Sequence, residues 1–578
     1  MSYRSIVKST LFLLIILLAI CSGSKRTYAL YDNTTAQMTA YIKKQLTDNG
    51  VVGGVSVAFV DEQNVVWAQG FGYADAAAGT LTTLDTQYRI ASVTKTFTGT
   101  MLMQLFEQGL LDLDDPLTRF IPAFSIKPPL GFAAGGPVTI RSMATHHSGI
   151  PGDINNGVFT SAPDPDFNPK LVAYLQGEYL TYPANVLMAY SNTAMSLLST
   201  VIANASGQSF EAYSNALFQN LGMDHTSFYP DNPRVIANQA KGYQNGQEVS
   251  RYYNNGSTTG GIISTIQDMA KFIKMVNAGG MGQRGQVIKP ETLEMMLTAQ
   301  NDSMPLDIDN KIGINWFLND ADLSYAGRLC YHNGGINGFR SHLEILRDRK
   351  LGVVVLANDE KVPFEDIAKQ TLYLALHEKT GLTQPPAVAP AYSAPVSWDQ
   401  TRLDFLQGIY ILTQASSVPY IKVKSVAGAL EWTSPDNSSL TFHAVPKANG
   451  WFSARDSQDM EYEFTEITGI RVLLWHKNGQ SVLAAQYYVP PAIPAAWIAR
   501  LGTYQVTNCQ SAFSCGSGNL IVADGMLGFG SNVLVPVSDT LAYVSGLGRS
   551  GGSSVQVITV PPDWHEEIQM LGARFKKS

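Results

Sequence analysis

The spacing of apolar residues changes character several times along the chain. In VVGGVSVAFVDEQNVVWAQGFGYAD (51–75), apolar runs flank the polar turn Asp61-Glu62-Gln63-Asn64, which predicts two strands joined as a hairpin. After Ser92 the period becomes helical. Val93, Phe97, Met101 and Leu105 share one face, and Gly109 is placed to end the helix. Further helical patterns cover 186–204, 208–221, 265–278 and 290–299; strand patterns return at 341–347 and 351–357, and a last helix is predicted over 364–377. Strands at both ends with helices between them predict an α/β sandwich whose sheet is assembled from distant parts of the chain.

Beyond residue 380 the texture changes. GLTQPPAVAPAYSAPVS (381–397) has four prolines and one charge-free stretch after another, the composition of a semi-rigid linker. From 398 onward, short alternating runs separated by turns such as Asn478-Gly479 predict an all-β region. Gly408-Ile-Tyr-Ile-Leu-Thr413 and Gly502-Thr-Tyr-Gln-Val-Thr507 begin alike, on either side of a proline-rich break at 489–494. This predicts β-rich units at 398–490 and 491–578, as two small barrels, two halves of one, or a chance likeness.

The first 29 residues read as targeting rather than fold. Arg4 and Lys8 precede an apolar run, Leu11 to Ile20, too short to span a bilayer, and Thr27-Tyr28-Ala29 suits a cleavage site. The expectation is an exported mature chain starting near Leu30, periplasmic or extracellular; lipid attachment at Cys21 or an uncleaved anchor is the alternative. Loss of that segment removes four basic residues and no acidic ones, taking the net charge from −7 to −11. No basic tract remains to neutralise phosphates, which argues against nucleic acid as a partner. Cys509 and Cys515 are spaced for a small loop disulfide, whereas Cys330, among apolar neighbours, reads as a buried structural thiol.

Candidate chemistry starts at Ser92-Val93-Thr94-Lys95. If Ser92 caps the helix, residues i and i+3 share a face, so the amine reaches the hydroxyl and serves as its base once burial or cationic neighbours lower its pKa. Ser5-Ile6-Val7-Lys8 has the same spacing in the targeting segment, so the pattern alone is cheap. Tyr190-Ser191-Asn192 approaches another apolar helix; its tyrosine is able to exchange a proton with serine or leaving group, and its amide to bond substrate and lysine together. A second Tyr-Ser-Asn at 213–215 sits inside helical periodicity and reads as helix surface. His332-Asn333-Gly334-Gly335 enters a late strand, where small residues admit a substrate backbone and the Gly335 N–H pairs with that of Ser92 as an oxyanion site.

In this order, the three elements resemble those of the serine β-lactamase and penicillin-binding protein superfamily, in its class C β-lactamase-related branch. YRIASVTKTFTGTMLMQLFEQGLLDLDDPL, TIRSMATHHSGIPG, LGMDHTSFYP and GGIISTIQDMAKF are similar to it as well, so the resemblance covers roughly 35–380. It implies a β-lactamase/transpeptidase-like sandwich, an antiparallel sheet with a helical cluster, over 30–380, followed by an all-β, lipocalin-like, barrel-like region that caps the active site or binds wall or partner. It also implies a serine hydrolase working through an acyl-enzyme without metal or organic cofactor. Ser92 is then the nucleophile, Lys95 and Tyr190 share base and acid roles, and Asn192, His332, Asn333, Gly334, Gly335 and Arg340 contact substrate. His332 departs from the Lys-Thr-Gly of true class C β-lactamases and is similar to D-aminopeptidases and related hydrolases. A neutral His anchors a substrate carboxylate less well than a lysine, so at most weak β-lactam hydrolysis is expected. Arg340 either takes over the anchoring of a substrate carboxylate or forms an ordinary surface ion pair. The implied partner is a small-molecule or peptide substrate, D-residue peptides first and carboxylic esters second, with cell-wall or membrane-surface association as a further expectation. The alternative from another class is a non-catalytic penicillin-binding or sensor protein.

Two other patterns are set aside. Gly548-Arg-Ser-Gly-Gly552 matches a nucleophile elbow but joins two strand-like runs with no helix after it, so a hairpin loop is expected. His146-His147 has no third ligand at zinc spacing.

Overall fold

A computed structural model describes residues 30–154, 156–319, 322–383, 395–413, 418–435, 437–454, 461–477, 479–508 and 516–578. The expected export signal, Cys21, most of the linker, the Asn478 turn position and the Cys509–Cys515 pair lie outside the described residues.

The N-terminal half is built on one eight-stranded sheet: β1 (Gly54–Asp61), β2 (Asn64–Asp75), β3 (Thr80–Leu81), β4 (Ile312–Gly313), β5 (Trp316–Phe317), β6 (Leu329–Ile336), β7 (Phe339–Leu346) and β8 (Leu351–Ala357). Its order is β4-β5-β6-β7-β8-β1-β2-β3, with every recorded pair antiparallel, so the first and last parts of the sequence meet at β1 and β8. Both faces of that centre are covered. Val55, Val57 and Phe59 of β1 pack with α1 (Asp32–Asp48) and a C-terminal helix (Phe364–Thr380), while Ala58 and Val60 join the main core. Alternation by two supplies both sets, which is why β1 is apolar almost throughout.

The helical cluster lies on the second face. It contains α2 (Thr94–Glu107), α3 (Asn192–Ser206), α4 (Phe210–Leu221) and α5 (Ile266–Asn277), whereas the helix Phe364–Thr380, α6, stays with α1 on the first face. Phe97 of α2 stacks on Phe272 of α5 at 4.0 Å and meets Phe218 of α4 edge-on. The predicted helix over 186–204 starts later. Ser191 caps it by accepting from the Ala194 N–H at 2.9 Å, and the preceding residues are irregular. Cys330 is fully buried, and that burial pushes its thiol up to about 12.

Two closed eight-stranded barrels follow, the first closing between Gly408–Leu412 and Gln480–Tyr488, the second between Gly502–Val506 and Ala573–Lys577. The sequence likeness at Gly408 and Gly502 marks the first strand of each. Tyr410 donates its hydroxyl to Leu406 O and Tyr504 to Arg500 O, four residues back in both cases, so each tyrosine ties its opening strand to the short helix before it. The barrels are fastened to the sheet-and-helix half. Tyr182, Leu187, Ala189 and Leu306 share an apolar cluster with Val472 and Leu474 of the first barrel and Leu547 of the second. Glu178 accepts from Ser554 Oγ, and the Gly572 N–H donates to Tyr174 Oη. Among the described residues no helix is long and apolar enough to cross a membrane.

Candidate active site

Ser92 stands in a single 3-10 turn, Ala91–Val93, immediately before α2. Its side chain makes no capping bond, which differs from the expected N-cap; the turn instead leaves Oγ directed at Lys95. Ala91 has φ +46°, a left-handed conformation unfavourable for a residue with a Cβ. Its backbone is closed in from the other side by Gly260, where a Cβ would come within 3.3 Å of Ala91.

Lys95, one helical turn on, is completely buried. Its Nζ lies 2.6 Å from Thr259 O, 2.8 Å from Asn192 Oδ1 and 3.2 Å from Ser92 Oγ. Burial holds its pKa well below the ordinary lysine range, and the nearby Arg549 charge pushes the same way against Asp153. A neutral amine has two N–H groups and one lone pair. Directed at Thr259 O and Asn192 Oδ1, the two donors leave the lone pair for the Ser92 hydroxyl, the geometry a general base needs.

Tyr190 occupies the irregular segment just before the Ser191 cap. Its hydroxyl faces Ser92, and its ring centroid is 4.9 Å from Lys95 Nζ. Burial raises its pKa, partly offset by the Ser92 side chain and by Arg549. His146 stacks on the ring at 4.1 Å, and His332 meets it at 6.4 Å in an edge contact. Both imidazoles are buried, and burial together with Lys95 lowers both pKa values, that of His332 to about 3. His332 Nδ1 is 2.6 Å from Asn333 O, so Nδ1 carries the proton and Nε2 the lone pair. A neutral, buried His332 places no positive charge opposite Ser92.

β6 runs against the Ser92 turn. A Cβ on Gly334 would stand 2.5 Å from Ser341 Oγ, 2.8 Å from Ile90 O and 2.9 Å from Ser92 N. Gly334→Val is therefore expected to push the strand off the turn and lower kcat by about 10²-fold through misplacement of the reacting groups. Ester turnover measured beside the thermal midpoint checks this, since the loss should far exceed any change in stability. β6 pairs with β5 only at Tyr331, so among the described residues His332–Ile336 has β7 alone as a sheet neighbour. The other two polar positions lie on the opposite face of the hairpin. Asn333 Nδ2 donates to Glu365 of α6, and Arg340 pairs with Glu360 at 3.5 Å, while Gly335 lies across from Arg340 in register. Thus Ser92, Lys95, Tyr190, Asn192, His332 and Gly334 come together, and the Asn333 and Arg340 side chains are turned away from them.

Three contributors were not foreseen. Thr259 O completes the lysine cradle. Asp153 accepts from Asn192 Nδ2 at 2.8 Å, keeping the amide oxygen toward Lys95. Arg549, in the hairpin loop between the second-barrel strands Leu541–Val544 and Ser554–Val560, grips Asp153 through Nε at 2.7 Å and Nη2 at 2.9 Å; its Cζ is 4.9 Å from the Tyr190 centroid. A chain of contacts thus runs from Ser92 through Lys95, Asn192 and Asp153 to Arg549. His147 has a structural part nearby: it bonds Asp307 at 2.7 Å, and Asp307 holds the Met188 N–H on the approach to Tyr190.

Comparison with known proteins gives this arrangement a setting. The Beta-lactamase family profile matches residues 38–378. Protein flp of Staphylococcus aureus (strain COL) is 27% identical over 346 residues, 58% of this chain and 65% of that protein. The chain thus spans just under two thirds of the staphylococcal relative. Human "Putative beta-lactamase-like 1" is 28% identical over 357 residues, covering 59% and 69% respectively. Among solved structures, the octameric penicillin-binding protein homologue from Pyrococcus abyssi has a TM-score of 0.52 at 22% identity, covering 78% of this chain and 99% of its own. The crystal structure of SurE with D-Leu has a TM-score of 0.54 at 19% identity, covering 79% of this chain and all of that one. Those structures share the fold. With the profile spanning the whole sheet-and-helix half in which Ser92, Lys95 and Tyr190 converge, this chain belongs to the Beta-lactamase family, whose members are usually serine hydrolases.

Proposed function

We propose that the chain is an exported serine hydrolase that cleaves amide or ester bonds through an acyl-enzyme, of the D-residue peptidase or carboxypeptidase type. The observation that carries this reading is the cradle of Lys95: a buried amine with both donors engaged by Thr259 and Asn192 and its remaining valence facing Ser92 Oγ. Ser92 Oγ attacks the acyl carbonyl as its proton passes to Lys95 Nζ. The tetrahedral oxyanion is held by backbone N–H groups at the Ser92 turn and on β6. On collapse, the leaving atom takes a proton through Tyr190, whose hydroxyl faces Ser92 and whose raised pKa keeps it a donor. Water then attacks the ester, and the same groups run in reverse. The neutral His332 is a weak anchor for the carboxylate of a classical β-lactam, and the fold shared with SurE, whose structure holds D-Leu, supports D-configured peptides as first choice.

The test incubates the protein and Ser92→Ala with 4-nitrophenyl acetate, a reporter penicillin and paired D- and L-alanyl peptides. Expected is hydrolysis that falls by about 10³-fold or more in Ser92→Ala, with an acyl adduct on the intact protein by mass spectrometry. Absence of both adduct and Ser92-dependent turnover for every acyl donor would overturn the reading.

A further inference from the structure

Arg549 belongs to the second barrel, yet its guanidinium sits over Tyr190, two hydrogen-bonded groups away from Lys95. Its loop is built in rather than draped. The Tyr182 hydroxyl donates toward Gly546 O (3.0 Å) and Gly548 O (3.1 Å), and Leu547 is buried in the cluster shared by all three units. Contact is close enough to require glycine on both sides: a Cβ on Gly552 would stand 2.1 Å from Thr181 O, and one on Gly152 would stand 2.9 Å from Arg549 O.

The donor and acceptor balance of the pair is uneven. Asp153 receives Arg549 Nε, Arg549 Nη2 and Asn192 Nδ2, which leaves its carboxylate nearly saturated. Arg549 has five N–H groups, and the two spent on Asp153 lie along its Nε edge. The Nη1–Nη2 edge, with two parallel N–H groups matched to a carboxylate, has no partner among the described residues, and the side chain is 46% exposed. Other cations do not serve here. His332 is neutral, Lys95 is engaged in its cradle, and Arg340 is held by Glu360 on the far face of β7.

We infer that Arg549 is a specificity-determining residue of the Ser92 site, holding a substrate carboxylate on the guanidinium edge that Asp153 leaves free. This rests on the hydrolase reading above and narrows its substrates to acyl donors that carry an anionic carboxyl group. The second barrel then takes part in substrate choice through a single side chain.

Two ester pairs test it: 4-nitrophenyl acetate against 4-nitrophenyl hemisuccinate, and phenyl acetate against 3-carboxyphenyl acetate. Each is assayed on the unaltered protein, Arg549→Ala and Arg549→Lys. The quantity read is the ratio of kcat/KM within a pair, so any loss common to both esters through Asp153 and Asn192 cancels. In Arg549→Ala the preference for the carboxylated ester of at least one pair is expected to fall by about tenfold, with Arg549→Lys intermediate. Ratios unchanged in both pairs overturn the inference. Calorimetric titration of Ser92→Ala with succinate, with and without Arg549→Ala, reads the anchor without turnover. If no ester shows Ser92-dependent hydrolysis, the hydrolase reading fails, and succinate binding lost with Arg549 still supports the anchor, whereas binding that is absent or indifferent to Arg549 ends it.

Discussion

Replacing Lys95 by methionine is expected to lower kcat/KM for an activated ester by about 10³-fold while the chain stays folded. The side chain is enclosed by Ser92, Asn192 and Thr259, so methionine fills the stem's volume but presents no lone pair to the hydroxyl. Thr259 O and Asn192 Oδ1 each lose a donor, at a cost of about 1 kcal/mol apiece, and the desolvation of a buried amine disappears in return. Stopped-flow acylation and a thermal midpoint on the same preparation separate the two effects. A variant that retains acylation within tenfold would remove Lys95 from the base role.

The same variant has a signature in pH. In the folded protein the lysine pKa is well below its unfolded value of about 10.4. Between the two values the unfolded chain binds a proton that the folded chain lacks, so unfolding becomes harder as pH rises. The stabilisation tied to the neutral amine is complete above the unfolded pKa and is lost as pH falls toward the folded one. Lys95→Met should flatten that slope, measured as the thermal midpoint across the neutral to alkaline range. Activity runs in the same direction: the wild-type rate should climb with pH through the lowered lysine pKa.

Local spacing made part of this site legible. Ser92 and Lys95 are one helical turn apart, and Tyr190 and Asn192 flank a cap, so short sequence windows hold their mutual geometry. Alternation on β6 was available as a further guide: His332 and Gly334 share the face toward Ser92, and Asn333 falls on the other, toward α6. Asp153 and Arg549 carry no such signal. Their ion pair joins positions 396 residues apart, and Arg549 stands in a glycine-rich hairpin whose strands predict nothing about where its tip lands. The fold shows the same division. The hydrophobic period located β1, α2, α4 and α5, and the repeated Gly-x-Tyr start marked the barrels. Strand closure, which decides between two barrels and two halves of one, depends on partners about seventy to eighty residues apart and is invisible to periodicity.

Truncation of the second barrel, a chain ending at Tyr488, is expected to reduce activity on small esters by about tenfold or more and to make the protein prone to aggregation. A detachable cap would have the opposite consequence, since removing a cap admits larger substrates and leaves the chemistry intact. The interface argues for loss. Without the barrel, Asp153 has no guanidinium to hold it, so Asn192 keeps one fewer constraint on the oxygen that faces Lys95. Tyr182, Leu187 and Ala189 lose the cover of Leu547, and Ile411 and Tyr420 of the first barrel lose Met526 and Val533. Contiguous apolar surface of that kind drives association. Size-exclusion chromatography beside turnover of one small ester and one long peptide distinguishes the outcomes. A monodisperse truncated protein with faster turnover of the peptide would make the barrel a gate, whereas slower turnover of both makes it a structural part of the site, reaching Ser92 through Arg549, Asp153, Asn192 and Lys95.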